Sequence, residues 1–400
     1  MIYETEADLL LNGITRSRIS ILCLTSGLEV GGAEMMLYKF LSRMDRTRFT
    51  AHVISMIDLD LGPMTPKIKA LGVPLRSLGM RRGVPNPMGI VKLVRWLRQT
   101  RPDVIQTWMY HADLIGGVAA KLAGGIPVAW NIRHTDLNAH GSRQLTIHTM
   151  RVCAKLSKWL PVRIVCCSEA SRQVHVALGY AAEKMLVIPN GLDLTAFKPD
   201  SAARESVRKE LGISDDALII GMVGRFDPQK DHRNFIKSAG LLRRRGVNAH
   251  FLLCGDDVTC DNSQLAGWIQ EENVRERFHL LGRRDDIARL TAAFDIACTS
   301  SSYGEGFPNV IGEAMSCEVP CVVTDVGDSA LIVGETGRVV GPGDPQALSQ
   351  ALGEMVALGR EGRNHLGSVA RRRVQQHFNL PDIVERYQNL YQSLACAVHP

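Results

Sequence analysis

A-L-I-I-G-M-V-G-R-F-D-P-Q-K-D-H, Ala217 to His232, sets the fold class of this chain. Its first seven residues, Ala217 to Val223, are apolar and rich in branched side chains, as expected of a parallel strand buried on both faces. Gly224 to His232 then turns polar and cationic. Open α/β sheets hold their ligands at the carboxyl ends of the strands, so this loop is placed to meet one. Arg225 and Lys230 are its paired cations. Two fixed positive charges stabilise the negative charge that builds on a departing diphosphate.

The same unit recurs on both sides. R-I-S-I-L-C-L-T, Arg18 to Thr25, is another buried-strand run, followed by glycine-rich S-G-L-E-V-G-G-A-E and a helical stretch to about Met44. Further strands are expected at Phe49 to Met56, Val104 to Thr107, Val128 to Asn131 and Arg163 to Cys167, with helices at Pro87 to Arg98 and Ala112 to Leu122. Beyond Ala217, strands are expected at Ala249 to Cys254, Phe278 to Leu281, Ile296 to Thr299 and Pro320 to Thr324. Strands alternating with helices argue for doubly wound parallel sheets, and there are two series of them. The joint is V-I-P-N-G-L-D-L-T-A-F-K-P, Val187 to Pro199, where Pro189, Asn190 and Gly191 are turn formers. A last helix, Pro381 to Ala397, carries an apolar stripe of Ile383, Tyr387, Leu390, Tyr391 and Leu394. The expected domains are residues 1–195 with 381–400, and residues 196–380.

Near the end of the second series lies S-S-S-Y-G-E-G-F-P-N-V-I-G-E-A-M-S-C-E-V-P-C, Ser300 to Cys321. Pro308 to Cys317 reads as a short helix: proline suits a first helical position, and Ile311, Ala314 and Met315 follow at helical spacing. Glu305 sits in the loop before it and Glu313 along it. The free N–H groups of a helix start favour an anion such as phosphate. A carboxylate beside that anion suits sugar hydroxyls, from which it accepts hydrogen bonds. One glutamate for a ribose, one for a transferred sugar and a helix end for phosphates describe a nucleotide-sugar site.

On these residues the chain resembles the retaining glycosyltransferases of family 4, whose architecture is GT-B. Glu305 and Glu313 match the family's E-x7-E, Gly306 to Val310 its G-F-P-N-V, Arg225 and Lys230 its R-x4-K, and Val187 to Pro199 its P-N-G-x-D-x-x-x-F linker. The resemblance implies two Rossmann-like domains facing a central cleft, with the last helix crossing back to the first. It implies diphosphate binding by Arg225 and Lys230, and catalytic roles for these two, Glu305 and His111. Donor contacts fall on Gly224, Gly306, Phe307, Pro308, Asn309, Val310 and Glu313. Gly31 and Gly32, before Ala33 and Glu34, match the family's glycine loop. Arg283, in L-G-R-R-D-D from Leu281 to Asp286, lies in the region that meets the nucleotide base; Asp285 and Asp286 equally suit a helix start. His111 follows the strand V-I-Q-T in W-M-Y-H-A-D, whereas the family's H-x-H places are held here by Gln106 and Trp108. Asn131, Arg133 and His134 are candidates for an acceptor phosphate. Retention implies that the donor phosphate helps deprotonate the acceptor hydroxyl on one face of the sugar. No metal cofactor is expected; the donor is a UDP-sugar in preference to a GDP-sugar, and the acceptor a glycan or lipid-linked hydroxyl.

Composition narrows the surroundings. At 400 residues, 45% hydrophobic and 22% charged, the chain fits a two-domain globular protein. No apolar run approaches the ~20 residues that span a bilayer. Acids at Glu4, Glu6 and Asp8 stand where a signal peptide needs cations, so a cytoplasmic location is expected. Ten scattered cysteines without a C-x-x-C read as reduced core thiols rather than a zinc site. Residues 1–195 hold 24 Lys and Arg against 14 Asp and Glu, the remainder 23 against 27. A basic half beside an acidic one meets different partners. Nucleic acid is not expected, for want of any recognition motif. An anionic membrane surface or phosphate-bearing acceptor fits the basic half better. Pro87 to Arg101 has the make-up of a basic amphipathic helix, which lies on a lipid surface or packs its apolar side on the sheet.

Rival readings lack their signatures. A nicotinamide oxidoreductase needs G-x-G-x-x-G after a strand, which neither Gly27, Gly31 and Gly32 nor Gly221 and Gly224 supply. Asp58-Leu59-Asp60 spells the D-x-D of metal-dependent glycosyltransferases but follows the second strand of a series already assigned. Glycoside hydrolysis by paired carboxylates does not account for the cations. A sugar-nucleotide epimerase shares the two-domain shape and would need no acceptor face. An inactive sugar-binding scaffold would not need Arg225, Lys230, Glu305 and Glu313 all intact.

Overall fold

The computed structural model describes residues 18–29, 31–81, 86–135 and 144–396; the acids at the amino terminus lie outside them. Thirteen strands among these residues form two sheets. The first comprises β1 (Ile19–Thr25), β2 (Phe49–Ile57), β3 (Leu75–Met80), β4 (Val104–Trp108), β5 (Val128–Ile132), β6 (Arg163–Cys166) and β7 (Met185–Val187), in the order β3-β2-β1-β4-β5-β6-β7. The second comprises β8 (Leu218–Val223), β9 (Ala249–Cys254), β10 (Phe278–Leu280), β11 (Ile296–Thr299), β12 (Cys321–Thr324) and β13 (Arg338–Val340), in the order β10-β9-β8-β11-β12-β13. Every pair in the second sheet is parallel, as are β1–β2, β1–β4, β2–β3, β4–β5 and β6–β7 in the first. The fold is therefore the doubly wound α/β class expected. In each sheet the strand order reverses beside its first strand, between β1 and β4 and between β8 and β11. Such switch points open a crevice at the strand ends.

Both faces of the second sheet are buried, which explains its continuous apolar runs. Successive side chains still alternate: Ile219, Cys321 and Val323 join one core, Ile220, Met222 and Val322 the other. Gly221 in β8 is fixed by packing, since a Cβ there would stand 2.1 Å from the Phe294 ring. β3, β7 and β13 were not expected from the sequence. They are sheet edges, two of only three residues and one broken by Gly79.

The chain divides into two compact units, Met1–Trp130 with Trp159–Val162 and Tyr387–Pro400, and Asn131–Lys158 with Arg163–Arg386. The sheets change between β7 and β8, on either side of the proline–glycine joint, whereas the units part at Trp130. Within the first unit, Tyr387 stacks on Trp108 at 6.3 Å and Tyr391 meets Phe40 edge-on at 5.6 Å. All four rings are buried, each removing about 150–250 Å² from water. The last helix, Leu380–Cys396, thus contributes its second half to the first unit. In the second unit the joint is tied to the chain's end. Leu192 N–H donates to the Phe378 carbonyl at 2.8 Å and Leu380 N–H to the Leu192 carbonyl at 3.1 Å. A Cβ on Gly191 would stand 2.5 Å from Leu380 Cδ1, so this turn glycine is set by close approach.

The helix Asn309–Ser316, with Cys317 as its C-cap, is followed by Glu318, whose φ of 62° is left-handed. A β-carbon is disfavoured there by roughly 1–2 kcal/mol. Glu318 is exposed, so Glu318→Gly is expected to raise stability by about 0.5–1 kcal/mol in denaturant titration. Gly367→Ala is expected to lower it by about 1–3 kcal/mol, because its Cβ would fall 1.9 Å from the Glu318 carbonyl oxygen. Equal midpoints for the two variants would overturn this account.

Candidate active site

The loop after β8 continues along its neighbour: Gly224 N–H donates to the Cys254 carbonyl and Phe226 N–H to that of Asp256, each at 2.8 Å. Gly255 permits this, because a Cβ there would lie 2.1 Å from the Gly224 oxygen. Two aspartates then shape the turn. Asp227 accepts from Gln229 N–H at 2.9 Å to start the 3₁₀ turn Pro228–Lys230, and Asp231 accepts from Asn234 N–H at 3.1 Å to start the helix His232–Arg244. Lys230, between these caps, lays its stem across Gly224.

The Lys230 ammonium donates to Glu305 Oε1 at 2.5 Å, and Ser301 Oγ donates to the same oxygen at 2.7 Å. The pair is largely buried, with 18% of the lysine side chain and 10% of the glutamate's exposed. Neighbouring hydroxyls fasten the backbone around it. Ser300 Oγ binds the carbonyls of Lys230 and Asp231 at 2.8 and 3.0 Å, Ser302 N–H donates to Gln229 at 2.8 Å, and Thr324 Oγ1 donates to Ser301 at 2.7 Å. The loops after β8 and β11 are thereby one assembly at the switch point. Beside it, Glu313 lines a crevice with Val223, Ile287, Thr291, Thr299 and Val310.

The opposite side of Glu305 is equally fixed. Its carbonyl accepts from Thr135 Oγ1 at 2.7 Å. Gly327, at φ 62°, leaves room for that carbonyl, which a Cβ would approach to 2.2 Å. The Asp328 carboxylate accepts from Glu169 and Ala170 N–H, both at 2.9 Å, at the start of the helix Glu169–Ala177, and its own N–H donates to the Gly306 carbonyl. Burial raises the Asp328 pKa, against these two backbone donors. Gly306 stands against Cys167 and Ser168. Arg133 donates to Asn190, whose amide donates to Asn309 Oδ1 at 2.8 Å.

The structure thus joins Lys230 with Glu305, and Asn309 with Arg133. It places other candidates separately. Arg225 is 56% exposed and bonded to Asp227 at 3.0 Å, not to the Lys230–Glu305 pair. Arg283 is also exposed, 3.7 Å from Asp256. Phe307 is a core ring, edge-on to Phe378 at 5.3 Å. Asn131 is buried, and His134 gives its carbonyl to Ser171 Oγ at 3.0 Å. Asp286 starts the helix Ile287–Ala292, its carboxylate bound by Arg284 and Arg289 and held well below the usual carboxylate range by them. In the first unit, Gly31 precedes the helix Gly32–Arg43, where a Cβ would meet the Glu34 carboxylate at 2.6 Å. His111 lies in the first turn of Tyr110–Leu122, half-buried, its pKa lowered by that burial. Just before it Met109 adopts φ 75°, ψ 156°, a region nearly reserved to glycine. Ser301, Ser300, Thr135, Thr299 and Asp328 were missed. The serine run was the signal, since a hydroxyl four residues before a buried carboxylate can bind it.

Two family models match the chain: Glycosyltransferase Family 4 over residues 30–196 and Glycosyl transferases group 1 over residues 217–358. The chain belongs to the family 4 glycosyltransferases. Among curated relatives, the putative glycosyltransferase EpsF of Bacillus subtilis (strain 168) is 28% identical over 324 residues, 77% of this chain and 80% of its own. The UDP-Gal:alpha-D-GlcNAc-diphosphoundecaprenol alpha-1,3-galactosyltransferase of Escherichia coli is 26% identical over 357 residues, 84% and 88% of the two chains. Among solved structures, Anabaena Alr3699/HepE in complex with UDP superposes with a TM-score of 0.82 at 23% identity, covering 94% of this chain and all of that one. That likeness establishes the GT-B fold of this glycosyltransferase.

Two outcomes follow from the geometry. Ser301→Ala strips a hydrogen bond from a buried carboxylate and is expected to lower stability by about 1–3 kcal/mol in denaturant titration, with Ser301→Thr restoring most of it. A neutral alanine would show the hydroxyl to be idle. The second concerns His232, beside this loop, and His175, whose Nδ1–H donates to the Ser171 carbonyl at 2.7 Å. Burial pushes both down to about 4. Their folded pKa lies below the unfolded 6.5, so their stabilising share is complete above that pH and falls away as pH drops towards 4. Buried carboxylates with raised pKa, Asp231 and Asp328, act in the opposite sense just above 3.8. Stability, followed by denaturant titration, is expected to fall from pH 7 to pH 5 by on the order of 1–2 kcal/mol per histidine, and less steeply in His175→Gln. An unchanged slope in that variant would refute the assignment.

Proposed function

We propose that this glycosyltransferase moves a sugar from a UDP-sugar to a hydroxyl of a lipid-linked or glycan acceptor, with retention, in the building of a bacterial polysaccharide or glycoconjugate. The observation carrying this reading is the Lys230–Glu305–Ser301 cluster at the switch point of the second sheet. Lys230, with Arg225, holds the diphosphate. Among the described residues, both bonds that the Glu305 carboxylate accepts fall on Oε1, and its second oxygen is the kind of acceptor that a sugar hydroxyl needs. Glu313, on the crevice beside Thr299, receives the ribose hydroxyls. Gly224 and Gly306 to Val310 frame the donor, and Arg283 the base. His111, with Gly31 and Gly32, serves the transferred sugar. Asn131, Arg133 and His134 serve an acceptor phosphate.

In this reading the acceptor oxygen bonds to the anomeric carbon as the carbon–oxygen bond to the diphosphate breaks. The acceptor proton passes to the departing phosphate oxygen. Charge gathers on the diphosphate, where preorganised cations stabilise it. Glu305, already bound to a cation and a hydroxyl, is suited to orientation rather than to nucleophilic attack. The relatives support a lipid-linked acceptor through the name of the Escherichia coli enzyme, and a UDP-sugar through that name and the HepE complex. They lend nothing to an epimerase.

UDP at about 100-fold over its Kd is expected to stabilise the protein by ~2.7 kcal/mol, and GDP at the same concentration by less. Lys230→Ala is expected to lose about 10²–10³ in kcat, while activity persists in EDTA. Folded Lys230→Ala with ordinary turnover, or stabilisation by GDP alone, would overturn the assignment.

A further inference from the structure

The joint between the two series of strands carries a polar side chain out of water. Asn190, between Pro189 and Gly191, is 5% exposed, and Ile188 and Leu192 on either side of it are buried. Backbone packing fixes where it stands. Ile188 N–H donates to the Cys166 carbonyl at 3.0 Å, continuing the pairing of β7 with β6. Two residues beyond Asn190, the Leu192 side chain rests on the helix Asn309–Ser316, where a Cβ on Gly312 would stand 2.2 Å from Leu192 Cδ1. The joint is therefore docked on the helix that carries Asn309.

Three side chains then form hydrogen bonds that run in one direction. Arg133, just beyond β5, donates to Asn190 Oδ1, and Asn190 Nδ2 donates to Asn309 Oδ1 at 2.8 Å. Chemistry dictates the direction. A guanidinium has N–H groups and no acceptor, so Asn190 must turn its oxygen to Arg133 and its NH₂ to Asn309. Asn309 must answer with its own oxygen, which leaves its NH₂ for a ligand. Asn309 is half-buried, at the first position of its helix. The N-cap there is Pro308, which has no side-chain oxygen to cap the helix, so the first N–H groups favour an anion. A reversed Asn309 carboxamide would set its oxygen against that anion.

We propose that Asn190 is a positioning residue for the donor: held by Arg133, it sets the Asn309 carboxamide with its NH₂ towards the diphosphate of the nucleotide-sugar. Asn309 makes the contact, and Asn190 decides its polarity. The relay starts on a residue assigned to the acceptor and ends on one that frames the donor. It rests on the donor site proposed above.

Calorimetric titration of UDP and GDP into the full chain tests this, since both carry the diphosphate, and a thermal melt verifies that each variant folds. Asn190→Asp keeps the side-chain shape and the Arg133 bond but loses the NH₂. The Asn309 amide then turns to donate to the new carboxylate and offers its oxygen to the diphosphate. Affinity for the tighter nucleotide is expected to fall about tenfold or more. Asn309→Ala, at a partly exposed position, is expected to lose about three- to tenfold. Added to Asn309→Ala, Asn190→Asp is expected to cost little more, because it acts through Asn309. An equal loss in both backgrounds would overturn the proposal by showing that Asn190 acts on the fold or the local field instead. So would Asn309→Ala that binds like the parent, an outcome that decides the matter even where Asn190→Asp does not fold. In both cases the parent still binds a nucleotide and the donor site stands. A parent that binds neither UDP nor GDP would overturn that site and the relay's role together.

Discussion

The contact between the Lys230 ammonium and the Glu305 carboxylate organises the second unit's strand ends. An ion pair this far out of water is a poor stabiliser in itself, because desolvating two charges offsets most of their attraction. Its value is positional. Removing either partner strands a buried charge, so every arrangement that separates the loops after β8 and β11 is disfavoured. The hydroxyls of Ser300, Ser301 and Thr324 then fix both backbones around the pair. A ligand bringing anionic and hydroxyl groups together offers each partner a substitute. A ligand with one kind alone leaves the other charge unsatisfied. In the proposed reading that is how a nucleotide-sugar is told from free phosphate or free sugar.

Close packing of backbone against backbone supports this arrangement. Gly255 lets the Gly224 carbonyl approach, and Gly327 does so for that of Glu305. In both places a single methyl group would push away a loop that carries one partner of the pair. The geometry of the candidate site is therefore enforced from behind by missing side chains as much as by hydrogen bonds in front. Asp328 extends the enforcement to the start of Glu169–Ala177, using two backbone donors that a helix cannot satisfy internally.

Much of this fold was legible because parallel strands buried on both faces leave continuous apolar runs. Ala217 to Val223 and Ile296 to Thr299 are such runs, and each was placed within a residue. Three of the four edge strands carry no such signal, since β13 is three residues with one exposed and β3 contains Gly79, whereas the edge strand β10 was expected from Phe278 to Leu281. Of the candidate site, the two charged partners Lys230 and Glu305 were named from the sequence, and the structure brings them together. Their pairing was not legible. Lys230 and Glu305 lie 75 residues apart, and nothing in either segment announces a direct bond. Phe307 shows the converse: it belongs to the motif, but its ring serves the core. Hydroxyl partners such as Ser301 were hidden because serine is equally at home in any turn.

Charge distribution sharpens how such a site could work. Residues 196–400 carry 23 Lys and Arg against 27 Asp and Glu, so the half proposed to bind an anionic donor has no attractive net charge. Long-range steering cannot supply the affinity, which must come from a few cations held at short range. That demands preorganisation, and Lys230 has it: a turn capped at both ends, a stem laid on glycine and a carboxylate that holds its ammonium in place. The first 195 residues carry the opposite excess, and Arg95 and Arg101 among them are exposed. Diffuse positive charge of that kind suits a partner that is broad and anionic, while the donor's compact diphosphate requires the buried, local kind. The two halves thus solve electrostatic problems of different range, which explains why one chain holds both signs apart.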